Sequence, residues 1–401
     1  MKQTSCIFER EDRLGGKIFD YRFTQAPDIV VGLGEWSYKG DNYAELELQP
    51  IQTLLDQAQT NNKTLVETAK YVVDVGTNYR PFSTAVTFLS NELSPEGAEL
   101  MANTYGFKGD YMQNINPFSY RTYLERELYV ILYGVENLRP LKGMSETITV
   151  LEKKVKSHGG KIYLKETVNS IDKIGDGFVI QTTNFTVKAN KTVITPGPGA
   201  LKMIKGEVVQ NITDHEIFKS IVSVPAFHGA AVYQDAWWND TTAAQMNNTL
   251  QPLEMFISTS ICLGITMPYK GVGPNGTAVL HTIANNGGCS DKWGKILATS
   301  PNEVDKELKR ALKYKFQREV PDPLETKYKY WKEGFWFLQK PGADFNLTSI
   351  RQWAKRPLTG QDVFLVNRAF YNFGGYLDDD IRSTKEALEE GWKLPLPFIV
   401  N

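Results

Sequence analysis

The sequence predicts an α/β fold in which a Rossmann-like dinucleotide-binding domain, incomplete at its N-terminus, accompanies a discontinuous α+β domain. In the segment IFEREDRLGGK, Ile7 to Lys17, a short strand ends on an acid and runs into a glycine turn. Alternating runs between residues 161 and 195 predict an antiparallel meander that returns to a central sheet. The last 40 residues predict a buried strand, DVFLV, then a glycine-rich and aromatic loop and a helix that begins with three aspartates. A chain of 401 residues has room for two such domains.

The changes in pattern along the chain predict where the two domains alternate. Helix-length apolar patterns replace the alternating ones after residue 43, and a second block of strands and one helix follows the meander. We expect the dinucleotide-binding domain to comprise residues 1–43, 136–206 and 340–401. The second domain then comprises residues 44–135 and 207–339.

Three helices in these segments have clear boundary signals. The apolar spacing predicts a helix from about 145 to 158, with Ser145 as its cap. A second helix is expected between Pro301 and Pro321, and the C-terminal helix is expected to stop at Gly391.

Composition and charge exclude several classes of function. The net charge of −1 supplies no basic surface for nucleic acid. The apolar runs fall short of the roughly 20 residues that span a bilayer, so no membrane span is expected. Cys6, Cys262 and Cys289 lie far apart, with neither metal-ligand spacing nor the pairing of a disulfide scaffold. We therefore expect no metal site.

Glycosylation motifs bear on the compartment of the protein. The Asn-x-Ser/Thr motif occurs at Asn62, Asn184, Asn190, Asn211, Asn239, Asn247, Asn275 and Asn346. This density favours a glycoprotein that is secreted or belongs to the secretory pathway. The alternative is that an asparagine-rich chain produces such motifs by chance, and the N-terminus has no signal-peptide pattern.

The IFEREDRLGGK segment has the chemistry of a dinucleotide site. An acid at the end of a strand, here Glu9, can accept both ribose hydroxyls. Gly15 and Gly16 would let the backbone approach a pyrophosphate without a Cβ clash, and Arg13 or Lys17 could neutralise it. Taken alone, the glycine pair would be an ordinary hairpin.

Together, the E-x-x-x-R-x-G-G-K pattern resembles the ribose and pyrophosphate motif of flavin-containing amine oxidases, a family that includes monoamine, polyamine and L-amino-acid oxidases. Further similar segments lie in the same order along nearly the whole chain: LGEW at Leu33 to Trp36, KGMSETI, TVNSI, AWW, and FLVNRAFYNFGGYLDDDI near the C-terminus. The resemblance implies an FAD-binding Rossmann-like domain, with Gly34 and Trp36 near the flavin ring. Val168 would contact adenine, and Leu377 belongs to the terminal flavin segment. Neither Cys262 nor Cys289 lies near that segment, so FAD is expected to be non-covalent.

The chain departs from the family pattern at both ends. The strand and G-x-G-x-x-G turn that hold the pyrophosphate in this family are missing before IFEREDRLGGK. Truncation is the favoured explanation, and a variant that has lost the central strand is the alternative. Asn367-Arg368 and Asp379-Asp380 replace a Gly-Glu pair and a Gly-Ala step. The aspartates would oppose the negative charge of reduced flavin, or they simply cap an exposed helix.

The resemblance also implies residues near the reacting atoms. His228 stands where many members place a lysine linked to the flavin by water, and it could act as a base. A packed histidine is the alternative. Trp336 and Tyr371, with Trp331, Phe337 and Phe370, resemble the aromatics that flank the substrate, against the alternative of core packing. Ser37 stands near the position of the arginine that binds substrate carboxylate, which favours polyamine-oxidase types over amino-acid oxidases.

The resulting hypothesis is an FAD-dependent amine oxidase-like enzyme. A hydride would pass from the carbon beside a neutral amine to flavin N5, and oxygen would be reduced to hydrogen peroxide. The expected partners are a small-molecule amine and oxygen. One alternative is a truncated or degenerate flavoprotein that binds or scaffolds without catalysis. A desaturase or protoporphyrinogen oxidase relative is the other. The sequence predicts no oligomeric state.

Overall fold

The computed structural model describes residues 5–35, 38–39, 82–104, 115–120, 137–138, 140–238, 255–256, 262–334, 337–371 and 377–393. Two predicted contacts, Trp36 and Trp336, lie outside the described residues, as does most of the helical segment predicted between residues 44 and 135.

The described elements alternate between strands and helices along the chain. The strands are β1 (Cys6–Phe8), β2 (Asp20–Phe23), β3 (Ala26–Gly32), β4 (Tyr38–Lys39), β5 (Asn137–Leu138), β6 (Lys161–Tyr163), β7 (Val168–Ile174), β8 (Gly177–Thr182), β9 (Thr186–Ala189), β10 (Thr192–Ile194), β11 (Ile221–Ser223), β12 (Ala226–Tyr233), β13 (Met255–Phe256), β14 (Ile265–Pro268), β15 (Ala278–Asn286), β16 (Glu325–Trp331), β17 (Phe337–Gln339) and β18 (Val363–Leu365). The α-helices are α1 (Ala85–Leu93), α2 (Pro95–Thr104), α3 (Ser145–Ser157), α4 (Pro198–Leu201), α5 (Glu207–Asp214), α6 (Glu216–Ser220), α7 (Gly288–Thr299), α8 (Pro301–Phe316), α9 (Leu347–Lys355) and α10 (Leu377–Trp392).

Two pairs of parallel strands carry the Rossmann-like part of the fold. β1 pairs with β6, and β10 pairs with β18. No strand of the described residues joins the two pairs. Ile7 of β1 and Val193 of β10 are 41% and 39% exposed, although strands inside a parallel sheet are normally covered on both faces. The described part of the parallel sheet is therefore in two pieces, and each piece presents an apolar residue to solvent.

The predicted meander is confirmed. β7, β8 and β9 form an antiparallel sheet in the order β7-β8-β9, and Gly175, with φ of +53°, makes the turn between the first two strands. Glu166 links the start of β7 to the end of β8. Its carboxylate accepts hydrogen bonds from Thr182 Oγ1 at 2.8 Å and from the Asn184 backbone N–H at 3.1 Å. The chain then enters β10.

The three predicted helices are present, but two of their boundary signals were misinterpreted. α8 begins as expected, with Ser300 as its cap. Ser145 does not cap α3 with its hydroxyl; its backbone N–H instead donates to the Asp20 carboxylate at 2.7 Å. Gly391 lies inside α10, and a Cβ there would come within 2.5 Å of Phe364 Cζ. Gly391 is thus required by helix–sheet packing rather than by the end of the helix.

A five-stranded antiparallel sheet in the order β13-β14-β15-β12-β16 forms the centre of the second half of the chain. One face carries Phe227 and Leu280, which pack on α7 and α8 through Trp293 and Leu312. The other face packs against the hairpin of β2 and β3, with Val232 in the contact. The sheet is therefore covered on both sides, and its second face meets the hairpin that follows the IFEREDRLGGK segment.

The cysteines correct one prediction from the sequence. Cys262, just before β14, is bonded to Cys289 in the first turn of α7, and both are buried. The two are 27 residues apart, and the folding back of β14 onto β15 brings them together. Cys6 is free and exposed. A single long-range pair has no signature in cysteine spacing, so the sequence did not show it.

The described residues contain neither a candidate membrane-spanning helix nor a candidate metal cluster. Among them no helix is both long and apolar enough to span a bilayer. No group of three or more His, Cys, Asp or Glu side chains in the same part of the chain is arranged to hold a metal ion.

Replacing both Cys262 and Cys289 with alanine should lower the free energy of unfolding by about 3 kcal/mol, because the disulfide no longer restricts the unfolded chain. Denaturant titration measures this change. Cys6→Ala is the matched control and should leave the free energy of unfolding within about 0.5 kcal/mol of the wild type, because Cys6 is exposed. Equal losses in the two variants would contradict a structural role for the disulfide.

Candidate functional site

The predicted ribose-binding acid and the glycine turn lie next to the first parallel strand. The Glu9 backbone N–H bonds to the Tyr163 carbonyl of β6 at 2.9 Å, and Glu9 Oε1 accepts the Glu11 N–H at 2.9 Å. Gly15 and Gly16 have φ of +101° and +53°, a region that favours glycine. A Cβ on Gly16 would meet no atom within 4 Å. The turn is therefore left-handed and open at Gly16.

The two candidate phosphate-binding cations have other partners in the structure. Arg13 donates to the carbonyls of Leu14, Gly16 and Ile18, so its guanidinium braces the turn from within. The Lys17 ammonium donates to the Gly334 carbonyl and lies 4.6 Å from the Phe337 ring centroid. Burial, and next the positive charge of Arg368, lower the pKa of Lys17 to about 8. Lys17 thus points toward the loop between β16 and β17, and the phosphate roles of both residues stay predictions.

The segment after β3 is held tightly by backbone contacts. A Cβ on Gly34 would lie 1.9 Å from the Lys17 carbonyl oxygen, so no other residue fits without movement of the backbone. The same carbonyl accepts the Glu35 N–H at 2.9 Å, and Trp331 Nε1 donates to the Leu33 carbonyl at 2.8 Å. Gly34 is therefore explained by close packing of protein backbone, and its predicted contact with flavin remains a prediction.

An ion cluster, formed by the buried Glu35 and Arg368 and the half-buried Asp380, links this segment to the C-terminal helix. Arg368 Nη1 donates to Glu35 Oε2 at 2.6 Å. Its Nε and Nη2 reach Asp380 Oδ2 at 2.8 and 2.6 Å, and its backbone N–H donates to Asp380 Oδ1 at 2.7 Å. No sequence pattern indicates this cluster, because its members are separated by up to 345 positions.

Burial sets the electrostatics of the cluster. Desolvation raises the pKa of Glu35, and the charge of Arg368 only partly opposes this shift. Burial alone would lower the pKa of Arg368, but Asp380 and Glu35 raise it. Arg368 is therefore a permanent cation held between two carboxylates. Arg368 and Asp380 are both departures from the family pattern, and their opposite charges form an ion pair with each other.

Two other predicted site residues begin elements, and a third, Tyr371, lies between β18 and α10. Val168 is the first residue of β7, and Leu377 is the first residue of α10; both are half-buried. Tyr371 is buried, and its hydroxyl contacts Arg351 Nη2 at 3.0 Å and Glu386 Oε1 at 3.1 Å. Tyr371 therefore ties α9 to α10, and a contact between its ring and substrate stays a prediction.

His228 lies in the middle of β12 and is only 6% exposed. Its Nδ1 is 3.3 Å from His281 Nε2. Burial lowers the pKa of His228 to about 3, so the imidazole is neutral at physiological pH. The structure does not choose between the base and the packed histidine, and the role as a base stays a prediction.

Arg368→Met should lower the free energy of unfolding by about 3–5 kcal/mol at neutral pH, because Glu35 and Asp380 lose their buried cation. The deficit should shrink as the pH falls toward 5. An unpaired buried carboxyl has a raised pKa and takes up a proton in the folded state before it does so in the unfolded chain. Chemical denaturation at several pH values measures both effects.

The matched control for this variant is Arg310→Met. Arg310 pairs with Glu307 at 2.7 Å, but its side chain is 76% exposed. Its loss should change stability by less than about 1 kcal/mol at every pH. An Arg368→Met variant as stable as Arg310→Met would contradict the structural importance of the cluster.

Comparison with known proteins places this arrangement in a family. Among solved structures, a putrescine oxidase variant with redesigned cofactor binding superimposes with a TM-score of 0.69 at 11% identity, covering 96% of this chain and 92% of that one. Cyclohexylamine oxidase from Brevibacterium oxydans IH-35A gives 0.69 at 14%, covering 96% and 93%. A putative protoporphyrinogen oxidase from Exiguobacterium sp. 255-15 gives 0.60 at 12%, also covering 96% and 93%. These identities show the fold alone.

No curated protein sequence matches the chain. The sequence pattern of the flavin containing amine oxidoreductase family, however, matches residues 82–361, which is well over half of the chain. The predicted fold class and the predicted family are both confirmed. By this match, the chain belongs to the flavin-containing amine oxidoreductase family.

Proposed function

We propose that the protein is an FAD-dependent oxidoreductase that oxidises a small amine and uses oxygen as the electron acceptor. Family membership supports a flavin cofactor and an amine substrate. The observation that carries the proposal for this chain is Glu9 at the end of β1, followed by the open left-handed turn at Gly16. When bound, FAD supplies the hydride acceptor for the C–H bond beside the amine nitrogen, and oxygen takes up the electrons as hydrogen peroxide.

The residues around the turn fit the ribose and phosphate end of FAD. The Glu11 amide already orients the Glu9 carboxylate, so the acid loses little side-chain freedom when it accepts ribose hydroxyls. The open side of Gly16 lets a phosphate approach the backbone. Arg13 keeps the turn in this shape through its three carbonyl contacts. We assign Glu9 to the ribose and the turn to the phosphates.

The ion cluster fits the ring end of FAD. In the family pattern described above, the terminal loop usually carries a Gly-Glu pair, and this chain has Asn367-Arg368 there instead. Arg368 offsets part of the negative charge of the two carboxylates around it. Negative charge would develop on the flavin ring during amine oxidation. With Arg368 present, the cluster would repel that charge less strongly than its carboxylates alone would.

Glu9→Ala should weaken FAD binding by about tenfold to a hundredfold, because a charged acceptor of two hydroxyl hydrogen bonds is lost. Titration of the purified protein with FAD, followed by quenching of flavin fluorescence, measures this change. Glu11→Ala is the matched control: it removes the neighbouring acid and keeps the backbone N–H that orients Glu9. The control should bind FAD as the wild type does.

Peroxide release with a panel of diamines, cyclic amines and simple monoamines then tests the reaction. A wild-type protein that takes up no FAD would overturn the proposed function. That result would favour the second candidate, a non-catalytic flavoprotein relative that serves as a binding or scaffold protein.

We also propose that the protein is an N-glycosylated protein of the secretory pathway. The Cys262–Cys289 disulfide is typical of an oxidising compartment. Each asparagine of a glycosylation motif whose exposure the structure describes is exposed: Asn184, Asn190, Asn211, Asn275 and Asn346. Chance occurrence of the motif does not require this uniform exposure, although asparagine is usually exposed.

When the protein passes through the secretory pathway of a eukaryotic host, Asn275→Gln should reduce the glycan mass by one unit. Intact mass measured before and after enzymatic deglycosylation reads this out. The control is Asn302→Gln, because Asn302 is equally exposed but lies outside any motif. A wild-type protein whose mass does not change on deglycosylation would contradict the proposal.

A further inference from the structure

Three cations gather where β16, the edge strand of the five-stranded sheet, meets the hairpin of β2 and β3. Lys327 and Lys329 lie two residues apart on β16, so both side chains leave the same face of the strand. The Lys329 ammonium lies 5.1 Å from the Phe19 ring centroid, and Arg13 Cζ lies 5.0 Å from the same centroid. The Lys327 ammonium lies 4.9 Å from the Tyr21 ring centroid. Arg13, Lys327 and Lys329 are all half-buried, and together they form the cation group.

Two acids close to the cation group have other partners. The Glu325 carboxylate accepts two backbone N–H groups of the turn between β2 and β3, at 3.0 and 2.9 Å. Glu11 pairs with Arg10 at 2.8 Å. Within the described part of the chain, the ammonium groups of Lys327 and Lys329 contact aromatic rings but make no hydrogen bond or ion pair. An aromatic face attracts a cation without neutralising its charge, so the positive charge of the group is not balanced by a contacting acid.

The members of the cation group repel one another. Burial, and next the charge of Arg13, lower the pKa of Lys329; Lys327 adds to this shift, and Glu11 opposes it. An anion bound beside the group would offset the repulsion. The protein therefore gains more from an anion here than at a lysine that is already paired with an acid.

Lysines on an edge strand have a simpler explanation, because a charged edge prevents pairing with a strand of another molecule. Such lysines need only extend into solvent. Lys188, on the edge strand β9 of the meander, is exposed in this way. Lys327 and Lys329 are instead half-buried against the rings of the hairpin, and they lie next to a third cation. Edge protection does not require that arrangement.

The donors of the cation group suit a phosphate better than a carboxylate. Arg13 uses three of its N–H donors on the carbonyls of its own turn, so its planar fork is not available for a bidentate carboxylate contact. The ammonium groups of Lys327 and Lys329 act as point charges with rotatable donors, which suit the several oxygens and the higher charge of a phosphate.

We propose that Lys327 and Lys329, together with Arg13, form a binding site for a phosphate group. The site adjoins the left-handed turn, because Arg13 contacts both the Phe19 ring and the Gly16 carbonyl. The phosphate belongs either to the pyrophosphate of FAD or to a separate phosphorylated molecule, and the two lysines supply the same contacts in both cases. The site does not depend on the proposed amine oxidation.

Calorimetric titration of the purified protein with inorganic pyrophosphate at low ionic strength tests the site. Lys329→Met should weaken binding by about tenfold or more, because a charge-assisted hydrogen bond is lost while an unbranched chain of similar length still covers the Phe19 ring. Lys327→Met should weaken it in the same direction. Lys188→Met is the matched control, and it should leave the affinity within about twofold of the wild type.

Two further measurements separate binding from folding and phosphate from carboxylate. Without pyrophosphate, Lys329→Met should melt at the same temperature as the wild type or higher, because one of three mutually repelling charges is gone. Succinate should bind the wild type about tenfold more weakly than pyrophosphate does, because the group offers no free planar fork. Equal binding of succinate and pyrophosphate would overturn the assignment to phosphate.

Competition with FAD identifies the source of the phosphate. If FAD displaces pyrophosphate, the site holds the pyrophosphate of the cofactor. If the FAD-loaded protein binds pyrophosphate with unchanged affinity, the site takes a separate phosphorylated molecule. Either result supports the site.

The site is wrong if the wild type binds no pyrophosphate, or if Lys329→Met binds it as tightly as the wild type does. A protein that binds pyrophosphate through Lys329 but takes up no FAD would keep the phosphate site and lose the proposed function. The two proposals therefore fail on different results.

Discussion

The buried cation of Arg368 is the constraint on which the junction of the two halves depends. Its guanidinium joins Glu35, at the end of the hairpin, to Asp380, in the first turn of α10. Buried charges are tolerated only when paired and hydrogen-bonded, so each of the three fixes the position of the other two. The segment around Gly34 and the start of the C-terminal helix cannot move independently without exposing or unpairing a charge.

The geometry around Lys17 shows how tightly the same junction is built. Its carbonyl oxygen contacts Gly34 and accepts the Glu35 N–H, while its ammonium reaches the Gly334 carbonyl. One residue thus holds the hairpin, the segment after it and the loop between β16 and β17. The segment that resembles the family's ribose and pyrophosphate motif thus makes packing contacts in this chain through Lys17.

Local patterns predicted the elements well and their mutual contacts poorly. Apolar spacing predicted α3 and α8, and alternation predicted the meander, because these signals lie within a few residues of one another. The Arg368 cluster, the Cys262–Cys289 bond and the His228–His281 pair join residues that are distant in sequence. The last of these also depends on an irregularity in β15 that no sequence period shows. The family resemblance supplied the overall fold, whereas the contacts particular to this chain required the structure.

The pairing of two of the three cysteines leaves Cys6 as the one reduced thiol of the sequence. Cys6 is exposed on β1, next to the exposed Ile7 and three residues before Glu9. A thiol-directed fluorophore or spin label would therefore attach at a single place without any engineering of the chain. Such a probe would sense a strand, a nucleotide or another polypeptide as it approached that edge.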